Sequence, residues 1–290
     1  MNGFFLIDKP EGKTSSNVVL NIKRKLNLKK CGHNGTLDPN TTGLMVVGCN
    51  EATKLMKFIN EHDKAYITTI VFGFDSNTLD IYGNITDEFN MTFSEEELDK
   101  ALNEIKLINK QIPPMVSAIK IDGKKLYELE RKNIEVELQA RDIKIHNITK
   151  LTNLKEVDGH LEIDLIIDCS KGFYVRSFAR DLGILLGGKA IMKKLRRIRS
   201  GKFNIQNSVI LDEVSQDNLI SIEEMFPEFD RLNVNDYIAK LALNGVVFDE
   251  RQIKTDKPFY VIHKDEIIAI YEPVELYKYK PVVIFKKYVI

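Results

Sequence analysis

Residues 32–44 restrict the fold of this chain more than any other segment, and they read Gly-His-Asn-Gly-Thr-Leu-Asp-Pro-Asn-Thr-Thr-Gly-Leu. The three glycines permit backbone angles and close approaches that other residues do not. Pro39 fixes its own φ and pushes Asp38 toward extended backbone. Apolar residues 44–47 follow at once and predict a buried strand. The pattern therefore predicts a tight loop that is anchored on a strand and projects the Asp38 carboxylate away from the chain.

An Asp-Pro pair is most often only a turn, and that interpretation is sufficient for the dipeptide alone. The longer string Gly-His-x-Gly-x-Leu-Asp-Pro-x-x-Thr-Gly-Leu, however, resembles the catalytic motif of the tRNA pseudouridine-55 synthase family. That family commonly reads Gly-His-Thr-Gly-Ala-Leu-Asp-Pro-x-Ala-Thr-Gly. Asn34, Thr36 and Thr41 depart from the common pattern, whereas its Asp, its His and all of its Gly residues are kept.

Further motifs extend the resemblance to residue 203. They are Asp-Lys-Pro-x-Gly-x-Thr-Ser at 8–15, Lys-x-Tyr at 64–66, Thr-x-Asp-x-x-Gly at 78–83, Pro-Pro-x-x-Ser-Ala-x-Lys at 113–120, Cys-Ser-x-Gly-x-Tyr-Val-Arg at 169–176, and Leu-Arg-Arg-Ile-Arg-Ser-Gly-Lys-Phe at 195–203. Val116 stands where the family commonly has an aromatic residue, so the resemblance does not support a stacking role there.

The resemblance implies that Asp38 is the catalytic carboxylate of a uridine isomerase. Conversion of uridine to pseudouridine breaks the bond between N1 and the sugar and rejoins the base through C5, without redox change or a group donor. No cofactor and no metal are therefore expected. A carboxylate can act as a nucleophile, and attack on the base, attack on the sugar and a glycal intermediate all remain open. Arg176 is the implied partner that orients this carboxylate and offsets its charge in a dry pocket.

Five other side chains are implied to bind the substrate. A uridine inside a folded loop must leave its stack before an enzyme can act on it, and Tyr66 would then stack on the extruded base. Tyr174 would border the pocket and Leu195 would close it. His33 would stack on or hydrogen-bond to the RNA, and Lys9 would bind the substrate. Taken singly, the tyrosines and the leucine are more often core residues, and Lys9 more often a solvated turn lysine.

Composition limits the other classes of protein. No apolar run is long enough for a membrane span or a signal peptide, so a cytoplasmic protein is expected. Cys31, Cys49 and Cys169 lie far apart in sequence, which argues for reduced thiols and against a disulfide framework or a zinc site. The formal net charge is +0, yet residues 189–202 carry seven basic residues and no acid. Some of its cations are predicted to contact phosphates, among Lys193, Lys194, Arg196, Arg197 and Arg199, although Arg196 or Arg197 could instead pair with protein acids. The alternative for the run is an ordinary solvated face.

The periodicity of the chain predicts an α+β fold with a mixed sheet in residues 1–230 and a small β-domain in 231–290. Helices are expected at 17–26, 95–105, 175–186 and 236–243, a short helix is expected to begin within 123–128, and residues 211–229 are expected to be helical as well. Strands are expected at 3–7, 64–72, 141–150 and 161–169. The layout of the C-terminal segment is similar to the PUA-type RNA-binding module that these synthases carry.

The sequence therefore predicts an enzyme that isomerises uridine 55 in the T-loop of tRNA. It is expected to bind the T-arm as a monomer, without a protein partner and away from membranes. A guide-RNA-dependent synthase with protein partners is the alternative within the same fold. A non-catalytic RNA-binding protein would not need Asp38, and a metal hydrolase would need a cluster of ligands that the five separated histidines do not provide.

Overall fold

The computed structural model describes residues 1–33, 35–60, 63–117, 120–121, 124–126 and 138–285. In chain order its strands are β1 (Gly3–Lys9), β2 (Cys31–His33), β3 (Thr42–Cys49), β4 (Lys64–Phe72), β5 (Phe74–Ser76), β6 (Ile85–Glu88), β7 (Lys110–Gln111), β8 (Lys120–Ile121), β9 (Lys124–Lys125), β10 (Arg141–Asp142), β11 (Ile145–Lys150), β12 (Lys155–Val157), β13 (His160–Cys169), β14 (Ala190–Ser200), β15 (Phe203–Asn204), β16 (Val209–Ile210), β17 (Asp230–Asn233), β18 (Phe248–Asp249), β19 (Phe259–His263), β20 (Glu266–Glu275) and β21 (Lys278–Ile284). Its helices are α1 (Ser15–Lys25), α2 (Lys57–Asn60), α3 (Glu95–Ile105), α4 (Val175–Leu185), α5 (Ile222–Met225) and α6 (Asp236–Leu243).

The main sheet is mixed, as the sequence predicts. Within the described ranges it has ten strands in the order β11-β13-β4-β14-β3-β1-β16, with β12, β15 and β2 paired at the side of β13, β14 and β3. Strand β14 runs antiparallel to β4 but parallel to β3, and β1 runs antiparallel to β3 but parallel to β16. The loop that carries Asp38 leaves the sheet after β2 and returns into β3.

Local sequence signals start the predicted helices. The Thr14 hydroxyl accepts a hydrogen bond from the Asn17 amide at 3.0 Å and caps α1, while Ser94 and Glu97 form the capping box of α3. The apolar faces of α1, α3 and α4 join one core cluster with the main sheet. No helix in the described residues is long and apolar enough to cross a membrane. Helices α1, α3, α4 and α6 confirm the predictions, whereas the helix expected to begin within 123–128 lies largely outside the described residues.

The continuous helical character predicted for residues 211–229 is wrong. The structure has short 3₁₀ segments at Leu211–Glu213 and Gln216–Asn218, followed by the four-residue helix α5. Ser215 and Ser221 each begin a new capping box, which starts a fresh turn instead of extending the previous one.

The C-terminal β-sheet has the order β17-β19-β20-β21-β18 in the part of the chain that the structure describes, which confirms the predicted small β-domain. Helix α6 covers it, and its core contains Phe248, Phe259, Tyr271 and Tyr279. The predicted division between residues 230 and 231 falls inside β17, a strand that pairs in parallel with β19. A division before Asp230 therefore keeps this sheet intact.

A second core cluster joins the two sheets. Phe4 and Val46 of the main sheet share it with Phe226, Tyr260 and Ile262, so apolar surface of the C-terminal unit packs against the main sheet. The Tyr260 hydroxyl donates to the carbonyls of Ile222 at 3.1 Å and Phe226 at 2.8 Å. Because this contact is apolar and the Tyr260 hydroxyl within it is hydrogen-bonded, we expect the two units to unfold together.

Substitutions at Tyr260 test this shared core. Tyr260 is 1% exposed, so Tyr260→Ala should lower the free energy of unfolding by about 3–5 kcal/mol. Tyr260→Phe keeps the ring and should cost about 1 kcal/mol through its lost hydrogen bonds. The exposed Tyr237 is the matched control, and Tyr237→Ala should stay within about 0.5 kcal/mol. Two separate transitions in urea unfolding of the wild-type chain would contradict the shared core.

Candidate active site

The loop that carries Asp38 is fixed from beneath by the segment after β1. Lys9 is fully buried, and its ammonium donates to the carbonyls of Thr41 at 2.6 Å, Pro39 at 2.9 Å and Pro10 at 2.9 Å. Three carbonyl acceptors satisfy all three protons of the ammonium group. The charge of Lys9 therefore holds the backbone that follows Asp38.

Ser15 holds the backbone on the other side of the loop. Its hydroxyl accepts from the Leu37 amide at 2.9 Å and donates to the Leu37 carbonyl at 3.0 Å. The Gly12 amide adds a bond to the Pro39 carbonyl at 2.9 Å. The Asp-Lys-Pro-x-Gly-x-Thr-Ser motif is thus a clamp for the Asp38 loop, since Lys9, Gly12 and Ser15 bind the backbone on both sides of the carboxylate.

Gly43 lets β14 approach the end of this loop. Its φ is +107°, and a Cβ built there would lie 2.3 Å from the Arg197 carbonyl oxygen. Any other residue would collide with the backbone of β14. Gly35 has a φ of +58° and also requires left-handed backbone, whereas Gly32 lies in β2 with an ordinary extended conformation.

Arg176 anchors the Asp38 carboxylate from the protein side. Its guanidinium lies 3.0 Å from Asp38 Oδ2 and 3.7 Å from Asp80 Oδ2. It also donates to the carbonyls of Thr78 at 3.1 Å and Val116 at 2.8 Å. Arg176 is 6% exposed, while the Asp38 side chain is 47% exposed. The arginine is thus fixed inside the protein and the carboxylate faces solvent.

The Asp38 carboxylate opens into a cleft of about 640 Å³. Tyr66, Tyr174 and Leu195 line it together with Arg176 and Asp38. This volume lies within the usual range for small-molecule sites. The main sheet supplies the floor, because β4 carries Tyr66 and the neighbouring β14 carries Leu195.

Burial keeps both tyrosines of the cleft neutral. It raises the pKa of Tyr66 to about 12, although the adjacent Arg197 guanidinium acts in the opposite direction. Burial also raises the pKa of Tyr174. Each ring therefore offers an uncharged face and a hydroxyl to a ligand at neutral pH.

Family models match two adjoining segments of this chain. Residues 23–175 match the TruB family pseudouridylate synthase (N terminal domain), and residues 176–233 match the tRNA pseudouridylate synthase B C-terminal domain. A tRNA pseudouridine synthase B from Aster yellows witches'-broom phytoplasma is 38% identical, with 97% of this chain and 99% of the relative covered. The protein of that name from Acholeplasma laidlawii is 39% identical, with 94% and 96% covered. The chain belongs to the TruB pseudouridine synthase family.

Solved structures agree in fold. A Cbf5-Nop10-Gar1 complex contains a chain with a TM-score of 0.66 and 22% identity, covering 95% of this chain and 79% of that one. The archaeal box H/ACA sRNP Nop10-Cbf5 complex gives a TM-score of 0.64 at 21% identity, covering 94% and 79%. At these identities the likeness confirms the predicted mixed-sheet fold with its small C-terminal β unit.

Of the seven side chains that the sequence assigned to the site, Asp38, Tyr66, Tyr174, Arg176 and Leu195 line the cleft. The other two lie elsewhere. His33 is half-buried in β2 opposite Val47, and Lys9 lies beneath the loop. The role of Lys9 is corrected here, because all three of its donors are engaged by backbone carbonyls and it positions the loop.

Sequence reasoning did not assign Asp80, Ser15 or Arg197 to the site. Asp80 stands in the Thr-x-Asp-x-x-Gly motif, and its carboxylate accepts from Thr78 Oγ1 at 2.8 Å and the Tyr82 amide at 3.1 Å. Arg197 is 1% exposed and donates from Nε to the Leu44 carbonyl at 2.7 Å. The motif could have indicated Asp80 from the sequence. Arg197 could not be distinguished from the other basic residues of the run 189–202, which are typical of a protein surface.

The basic run 189–202 is mostly neutralised within the protein. Its ion pairs among the described residues are Lys189 with Asp75 and Asp87, Lys193 with Glu162, Arg196 with Asp8, Arg199 with Asp168, and Lys202 with Glu228. Glu162 is 4% exposed, so Lys193 compensates a buried carboxylate. Lys194 is exposed. The predicted phosphate role of Lys193 is therefore not supported, and that of Lys194 stays a prediction.

Cations are instead concentrated at the cleft. Lys64, Arg141, Lys171, Arg176 and Arg197 line it, and the carboxylates there are Asp38 and Asp142. Cationic side chains outnumber carboxylates among the described lining residues. A cleft of this charge attracts a polyanion.

Substitution of Lys9 tests the clamp. Lys9→Met keeps the length of the side chain but leaves the Thr41 carbonyl without its donor, which should cost about 1–3 kcal/mol of stability. Misplacement of Asp38 by 1 Å should lower kcat by up to about 100-fold with little change in RNA affinity. The exposed Lys100 is the control, and Lys100→Met should change neither quantity. A Lys9→Met enzyme with wild-type kcat would contradict the clamp.

The pH dependence of Lys9 adds a second measurement. Burial lowers the pKa of Lys9 to about 8 from the usual 10.5, with Asp38 and Glu11 opposing the shift. Between these two pH values the unfolded chain binds more protons at this residue, so its contribution to stability rises with pH. The neutral amine retains only two donors for three carbonyls, so kcat should fall over the same interval. Lys9→Met should lack both slopes.

Proposed function

We propose that this chain isomerises uridine to pseudouridine at position 55 in the T-loop of tRNA, with Asp38 as the catalytic carboxylate. The observation that carries the proposal is the ion pair at 3.0 Å between Asp38 and the buried Arg176, at the floor of a cationic cleft. Relatives named tRNA pseudouridine synthase B cover almost the full chain. Both support an enzyme over an RNA-binding protein without catalytic activity, which would not need a positioned carboxylate.

The chemistry follows from where the carboxylate is held. The bond from N1 to C1′ breaks, the released base turns, and C5 bonds to C1′. N1 gains a proton, and the proton originally on C5 leaves to solvent. Asp38 acts on C1′ or on the base as a nucleophile or charge stabiliser. Arg176 holds the Asp38 carboxylate aimed into the cleft, because its own donors are fixed by carbonyls on the protein side.

The target base reaches this carboxylate by leaving its stack. An enzyme cannot reach a uridine that is stacked within a folded T-loop. Enzymes that modify a base generally extrude it from its stack into a shaped pocket. Tyr66 offers a flat, neutral ring beside Asp38, and base–aromatic stacking of this kind contributes about 1–3 kcal/mol. Tyr174 and Leu195 line the same cleft. His33 lies outside the cleft lining, on the strand that leads into the loop, where it is placed to contact RNA beside the flipped base.

We further propose that residues 231–290 form a PUA-type RNA-binding domain and that the enzyme acts in the cytoplasm as a monomer without cofactor. The C-terminal sheet supports this proposal through its small β architecture. Binding energy from a part of the tRNA remote from the target uridine tightens the complex without changing the chemical step. Because β17 begins at Asp230, this domain is taken to include that residue.

Asp38→Asn tests the catalytic assignment. The amide keeps the shape but removes the anionic oxygen, so turnover should be abolished while RNA affinity changes by less than about tenfold, or ~1.4 kcal/mol. A T-arm transcript with tritium at uracil C5 reports the reaction as tritium released to water. The control is Asp142→Asn, a carboxylate of the same cleft, which should retain turnover. Wild-type rates in Asp38→Asn would move the catalytic role to another group.

The same assay separates the proposal from a guide-RNA-dependent synthase. Both solved complexes contain Nop10 and one of them also contains Gar1, but their identity to this chain of 21–22% establishes the fold alone. The wild-type chain should release tritium without guide RNA and without another protein. Tight RNA binding with no release under these conditions would favour the guide-dependent or the non-catalytic alternative.

The salt dependence of RNA binding tests the cationic cleft. Arg141→Ala and Lys171→Ala should each weaken binding and flatten the plot of log K against log salt by up to ~0.7 per lost single-strand phosphate contact. Lys194→Ala is the matched comparison, since Lys194 is exposed on β14 but absent from the cleft lining. A change confined to Lys194→Ala would restore the phosphate role that the sequence predicts for the run 189–202.

A further inference from the structure

Two cysteines that are distant in sequence meet beside the catalytic loop. Cys31 of β2 and Cys49 of β3 are direct partners in the antiparallel register, and their Sγ atoms lie 3.8 Å apart. All three thiols are free in this structure, as expected, but separation in sequence does not keep these two sulfurs apart. Cys169 lies in the main core cluster at the end of β13, and its thiol donates a hydrogen bond to the Lys64 carbonyl.

The position of the pair in the ladder suits a disulfide. The Asn50 amide donates to the Lys30 carbonyl at 2.7 Å, which is a ladder bond, and the Lys30 amide donates to the Asn50 side-chain oxygen at 3.1 Å. Hydrogen-bonded and non-hydrogen-bonded residue pairs alternate along an antiparallel ladder. Cys31 and Cys49 are therefore a non-hydrogen-bonded pair, for which the Cα separation is about 4.5 Å. Disulfides span Cα separations of about 4.4–6.8 Å. Bond formation requires the sulfurs to approach by about 1.8 Å, to the usual length of about 2.05 Å.

We propose that Cys31 and Cys49 form a reversible redox site, in which a hydroperoxide oxidises Cys31 and Cys49 closes a disulfide that fastens β2 to β3. In the first step the Cys31 thiolate forms an S–O bond and the O–O bond breaks. Sulfur is oxidised by two electrons, the hydroperoxide is reduced, and an alcohol or water leaves after taking a proton. In the second step Cys49 forms the S–S bond, the S–O bond breaks, and water leaves with the Cys49 proton. A dithiol reductant reverses the cycle by thiol–disulfide exchange.

The environments of the two thiols assign these roles. Cys49 is fully buried, while Cys31 is partly exposed to solvent. The hydrogen bond between the two sulfurs and the nearby charge of Lys23 lower the pKa of Cys31 against the effect of its burial. The same hydrogen bond and burial raise the pKa of Cys49. The accessible sulfur is therefore the nucleophile, and the buried sulfur resolves its oxidised form.

The disulfide would act on the segment that leads into the Asp38 loop. Strand β2 has three residues and pairs only with β3 among the described strands, so it is a short edge held by few ladder bonds. Its last residue, His33, precedes the loop, and Cys49 ends the strand that follows the loop. The ring closed by the disulfide thus contains the whole loop. In a reducing compartment such bonds are transient and serve redox sensing.

The test uses the full-length, reduced protein and hydrogen peroxide as the probe. Alkylation under denaturing conditions should show the loss of two of the three thiols, and the intact mass should fall by two hydrogens without added oxygen. Peptide mapping should link Cys31 to Cys49, and dithiothreitol should restore both thiols. Oxygen added to Cys31 without a disulfide, a disulfide between two chains, or no reaction would each overturn the proposal.

Variants separate the two steps. Cys49→Ser should accumulate sulfenic acid at Cys31, trapped by dimedone, whereas Cys31→Ser should leave the buried Cys49 reduced. Cys169→Ser is the matched control and should lose both remaining thiols as the wild type does. Amide hydrogen exchange over residues 31–33 should slow in the oxidised protein and return to its original rate on reduction. Unchanged exchange in a fully oxidised sample would refute the fastening of β2.

Discussion

The buried guanidinium of Arg176 is the constraint on which the site depends. A charge placed inside a protein must be paired and hydrogen-bonded, since an isolated one is too costly to bury. Arg176 meets this requirement through Asp38, Asp80 and the carbonyls of Thr78 and Val116. Three separate segments of chain must therefore converge on the first turn of α4. The Asp38 loop is one of them, so its position follows from the need to compensate this arginine.

The loop itself is arranged before any substrate arrives. Lys9 and Ser15 bind the carbonyls and amide on either side of Asp38, so the carboxylate has little freedom of direction. Groups that are fixed in advance need no reorganisation as charge develops during the reaction. A buried lysine is expensive to maintain in its charged form, which is why burial lowers the pKa of Lys9. The free-energy cost of burying this charge indicates that the clamp has a function, because an ordinary turn in solvent needs no buried cation.

Local sequence signals predicted the helices and the loop, but they did not predict partners that are distant in sequence. The caps at Thr14 and Ser94 act within four residues, and α1 and α3 accordingly appear where the sequence placed them. Arg197 is buried because β14 pairs with β4 and places it beside Tyr66, and these two residues are 131 positions apart in sequence. The same limit applies to Cys31 and Cys49. For Asp38 and Arg176 the resemblance to family motifs supplied this missing information, because it implied that the two distant residues are partners.

The charge pattern shows why a run of cations in sequence is a poor guide to RNA contacts here. Strand β14 lies inside the sheet between β4 and β3, and three of its cations reach acids on β1 and β13, the strands beyond these neighbours. Arg196 meets Asp8 of β1 with two hydrogen bonds, and Arg199 meets Asp168 of β13. Each pair removes a cation from the field that a polyanion would feel, which agrees with the formal net charge of +0 for the whole chain. The cleft differs, because cations from several segments converge there and outnumber its two carboxylates. The geometry of the sheet, more than the number of basic residues, thus decides where the protein is electropositive.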